Sequence, residues 1–87
     1  MQYTVVHSTD PYLLARLATD LQMDGFGITS DIWSEYFHPF SHDNIWMPIY
    51  SSKVFDFHPH DCNDPSEIRH ELTSRNYIDI LTQILEP

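Results

Sequence analysis

The hydrophobic positions change period several times along the chain. Gln2-Tyr3-Thr4-Val5-Val6 is β-branched and aromatic, which predicts a first strand. Ser8-Thr9-Asp10-Pro11 breaks that run and signals a helix start. Asp10 suits the N-cap, and Pro11 suits the first helical position because its missing N–H would be unpaired there anyway. Leu14, Leu17, Ala18 and Leu21 then recur at helical spacing, with Leu13 on the flank. Gly25 supplies the residue that ends the helix.

Ile28 to Phe37 predicts a second strand. Ile32, Ser34 and Tyr36 share one face, and Asp31, Trp33, Glu35 and Phe37 share the other. Both faces carry aromatics, so either can be the buried one. Pro39 ends this strand. Ile45 to Tyr50 predicts a third strand, where Pro48 implies an edge or a bulge on one side. Ser51-Ser52 makes a turn into a fourth, Lys53 to Phe57. Asn63-Asp64-Pro65-Ser66-Glu67 repeats the helix-start pattern, with Asp64 as cap and Glu67 completing a capping box. Ile68 and Leu72 face one way, while Tyr77, Ile80, Leu81, Ile84 and Leu85 form a separate stripe. The two stripes are out of phase at 100° per residue, which predicts a break near Ser74–Asn76 and a final helix capped by Asn76. One continuous helix buried on two sides is the alternative. The expected order is β-α-β-β-β-α-α, an α/β (α+β) fold with one small, mainly antiparallel sheet and helices on one face.

This order makes a prediction about the histidines. Phe37-His38-Pro39 and Phe57-His58-Pro59 repeat one tripeptide at the expected ends of strands two and four. If those strands flank strand three in a meander, both end at the same sheet edge, about 10 Å apart. A crossover helix makes strand one parallel to strand two and brings His7 to that edge. The expected result is a rim of His7, His38, His42, His58 and His60, with Asp43, Asp61 and Cys62 among them. Three readings fit it. His38, His42, His58 and His60 could bind zinc, although no C-x-x-C or H-E-x-x-H spacing occurs. Clustered histidines beside Asp residues could respond to pH. Or His-Pro simply ends two strands, leaving surface histidines bonded to loop backbone.

Length and charge narrow the function. The 87 residues make a single domain, 1–87. Thirteen Asp/Glu against four Lys/Arg give a net charge of −9, which disfavours direct binding to nucleic acid or anionic membrane. Acidity alone also keeps a small protein soluble. The single cysteine, Cys62, precludes an intrachain disulfide, and no secretory signal or spanning segment is visible, so cytoplasm is the expected location. His7, Ser8 and Asp10 contain triad residue types, but adjacency in sequence is not a triad. Cys62 stands among acids, which raise a thiol pKa. Two glycines, Gly25 and Gly27, leave no phosphate loop. An enzyme is therefore not expected, and no cofactor is implied unless the histidines bind zinc.

A binding surface fits better. Asp31, Trp33, Glu35, Tyr36 and Phe37 combine carboxylates with aromatics, which suits a partner rich in Lys and Arg. That partner is expected to be a basic, nucleic-acid-handling host protein. A homo-oligomeric adaptor pairing through an edge strand is a further alternative.

The opening Tyr3-Thr4-Val5-Val6-His7-Ser8-Thr9-Asp10, the Leu-rich helix and Asp24-Gly25-Phe26 resemble a family of short uncharacterised bacterial and phage domains that open Y-x-V-V-x-S and place Gly-Trp after the helix. The likeness covers about the first third of the chain. Phe26 stands in place of the tryptophan, and that family has no assigned activity to carry over. In size and charge the chain also resembles the small acidic proteins with which phages inhibit host machinery, anti-CRISPR proteins included.

Overall fold

The computed structural model describes residues 4–29, 45–59 and 68–86. Strand β1 (Thr4–His7) leads into helix α1 (Pro11–Met23). Both ends of α1 form as the local chemistry dictates. Asp10 is extended, and its carboxylate accepts the Tyr12 N–H at 3.0 Å. Gly25 takes a left-handed φ of +96°, which a residue with a Cβ rarely adopts. There the N–H of Phe26 donates to the Leu21 carbonyl and that of Gly25 to the Gln22 carbonyl, a Schellman closure. Phe26 then folds back into the core.

Strand β2 (Gly27–Ile28) follows at once. It lies at the start of the expected strand 28–37, whose residues 30–37 fall outside the described part. Strand β3 (Ile45–Tyr50) returns through a turn at 51–53 to β4 (Val54–Phe55), and β5 (His58–Pro59) comes next. Strand β6 (Ile68–Glu71) and helix α2 (Tyr77–Leu85) complete the chain.

The sheet order is β2-β4-β3-β1-β6, with β5 also paired to β3. Three pairings are antiparallel (β1–β3, β3–β4, β3–β5) and two parallel (β1–β6, β2–β4), so the sheet is mixed. The α+β class holds, with both helices on one face. Leu14, Leu17, Ala18 and Leu21 of α1 and Tyr77 and Ile80 of α2 join Val6, Met47, Ile49, Phe55 and Phe57 in one buried cluster. On the other face, Val5 and its register partner Pro48 are fully buried outside that cluster.

Pro48 explains why the expected fourth strand, 53–57, is regular only at Val54–Phe55, with pairing resumed beyond it in β5. The register against β3 runs straight through, from Ile49↔Phe55 to Trp46↔His58. The interruption at Asp56–Phe57 falls opposite Pro48, whose ring nitrogen has no hydrogen to give the ladder. The Asp56 N–H still reaches the Pro48 carbonyl at 3.1 Å.

Two expectations are corrected. Residues 68–71 are a strand parallel to β1, not part of a helix begun at Pro65. Pairing with β1 offsets the local helix signal of Asp64 to Glu67, residues that themselves lie outside the described part. And β4, not β3, lies beside β2. The expected directions do hold: β1, β2, β4 and β5 all run one way, opposite to β3.

Candidate functional site

The chemistry-bearing residues of the described part meet at one edge of the sheet. β1, β5 and β6 end there and β3 begins there. Across that edge the register sets Glu71, His7, Trp46 and His58 in one row, on β6, β1, β3 and β5 in turn. Aligned positions of neighbouring strands share a sheet face. The expected juxtaposition of His7 with His58 is therefore present in the backbone, with Trp46 between them.

His7 is the centre of the row. Its Nδ1 lies 2.8 Å from a Glu71 carboxylate oxygen. An ionised carboxylate can only accept, so Nδ1 carries the hydrogen and donates. The imidazole also stacks on Trp46, with centroids 4.4 Å apart and planes tilted by 32°. The His7 side chain is only 13% exposed and that of Glu71 53%, so the pair is roofed on one side and wet on the other.

Backbone bonds beneath the row hold it together. The Leu72 N–H donates to the His7 carbonyl at 2.6 Å, closing β6 onto β1. Buried Ser8 donates its hydroxyl to the Leu72 carbonyl at 2.9 Å and accepts the Asp10 N–H at 3.0 Å. Asn76 occupies the N-cap position of α2 as expected, but its side chain faces backwards: its amide donates to the Glu71 carbonyl and accepts the Thr73 N–H, both at 2.7 Å. One hydroxyl and one amide thus fasten the ends of β1, β6, α1 and α2 to each other.

Ser8 therefore makes a clear prediction. In Ser8→Ala, a buried carbonyl and a backbone N–H each lose their partner, with a cost of about 1–3 kcal/mol. Urea unfolding measures this, and α1 and β6 should lose hydrogen-exchange protection together.

The same bonds settle the triad residue types. Ser8 is committed to Leu72 and Asp10, Asp10 caps α1, and His7 is paired with Glu71 instead. These residues do not form a nucleophile–base pair.

The sequence-predicted binding residues Asp31, Trp33, Glu35, Tyr36 and Phe37 lie outside the described residues. So do His38, His42 and His60 of the expected metal set, and Asp43, Asp61 and Cys62 of the rim. The backbone of His58 stands in β5, as described. Among the described residues, no group of three or more His, Cys, Asp or Glu side chains is placed to hold a metal ion. Glu71 and Trp46 are the site residues that sequence reasoning missed. Glu71 was hidden because β6 reads locally as helix, and Trp46 because nothing in the sequence marks which strand faces His7.

Among the described residues no helix is long and apolar enough to cross a membrane. Comparison of the chain with protein-family models, with curated proteins and with solved structures finds no match.

Proposed function

We propose that this protein is a non-enzymatic binding protein that engages a basic surface of a nucleic-acid-handling protein, in the manner of the small acidic inhibitors of phages. The distribution of charge carries this reading. Between Arg16 and Arg69 the only Lys or Arg is Lys53. The same span holds Asp20, Asp24 and Asp56, three acids in residues 30–44 (Asp31, Glu35, Asp43) and three in residues 60–67 (Asp61, Asp64, Glu67).

Lys53 also stands at the far side of the sheet from His7. It occupies the β3–β4 turn, where its Nζ lies 3.5 Å from the Asp24 carbonyl and 4.0 Å from the Asp24 carboxylate. At the His7 edge, by contrast, β3 begins, so the chain leaves the cation-free stretch 30–44 there, whereas β2 ends level with Thr4. An excess of acidic charge on a small domain steers it towards a positive surface and repels nucleic acid. The aromatics Trp33, Tyr36 and Phe37 in the same stretch supply the apolar contact that fixes an interface once it has formed.

The test begins with affinity capture from a host lysate and identification of the bound protein by mass. Binding of that protein is then measured with Asp31→Lys/Glu35→Lys. The double reversal should weaken the complex at least about tenfold at low salt. An unchanged affinity would remove stretch 30–44 from the interface.

A further inference from the structure

We draw no further inference here: the strongest candidate, the exposed surface of the two helices at Tyr12 and Met23 of α1 and Ile78 of α2, carries none, because nothing in the structure shows what covers it.

Discussion

Tyr77→Ala is expected to remove about 3–5 kcal/mol, the cost of emptying a buried aromatic site. That is a large share of the about 5–15 kcal/mol that stabilises a typical domain. Tyr77 opens α2 and is 2% exposed. Its ring sits under the Arg16 guanidinium at 4.4 Å, and its hydroxyl donates to the Asp20 carboxylate. Both partners lie on α1, so one side chain ties the two helices as well as filling core. Tyr77→Phe keeps the ring and should lose only about 1 kcal/mol, because Asp20 is half-exposed and water can replace the hydroxyl.

The two variants also separate at high pH. Burial pushes the Tyr77 phenol well above its ordinary value, and the hydrogen bond and negative charge of Asp20 push it the same way against the opposing pull of Arg16. A raised phenol pKa means that the folded state keeps a proton the unfolded chain gives up. The resulting stability is intact below about pH 10, the unfolded value, and is lost as pH rises through the folded one. Native protein should therefore lose up to about 1.4 kcal/mol per pH unit above about pH 10 from this group. Tyr77→Phe should not show that component. Urea unfolding between pH 9 and the alkaline limit measures the difference.

Phe57→Ala is the second large effect, again about 3–5 kcal/mol. Phe57 is fully buried and meets Phe55 edge-to-face, centroids 5.7 Å apart and planes at 83°. Such a pair adds about 0.5–1.5 kcal/mol beyond the area each ring buries. Phe57 also lies beside the point where Pro48 has no N–H to give the ladder, so its packing adds to the bond its own N–H donates to the Asp56 carboxylate at 2.8 Å. The expected signature is a lower urea midpoint with an unchanged slope. A loss below about 1 kcal/mol would mean that Phe57 is not core.

The Phe57 result bears on how far the sequence could be read. The repeated Phe-His-Pro drew attention to its histidines, yet in the second copy the phenylalanine is core and Pro59 lies in a short strand. The β1–α1–Gly25 unit was legible because each of its signals acts locally: a β-branched run, a capping Asp before Pro, a four-residue apolar stripe and a left-handed glycine. The split of β4 from β5 was not read, although Pro48 implied an edge or a bulge on one side of β3. Nor was Ile68–Glu71. Asp64-Pro65-Ser66-Glu67 carries a helix-start pattern, and Ile68 and Leu72 are spaced for either structure. What decides the matter is parallel pairing with β1, a contact between residues 64 positions apart. No window of local sequence contains that information.

Strand order was hidden for a related reason. Alternation of polar and apolar positions says which face of a strand is buried, not which strand lies beside it. The meander rule set β3 between β2 and β4, whereas β4 is the middle strand of those three. The His7–His58 juxtaposition survived that error because it depends on strand direction, and the directions were right. Its neighbours Glu71 and Trp46 emerged only with the register.

The most direct measurement of the account is the salt dependence of the complex with the captured partner. The dissociation constant should rise at least about tenfold between about 50 and about 500 mM salt, because the attraction acts between exposed charges that added ions screen. A constant unchanged across that range would contradict binding through acidic surface charge.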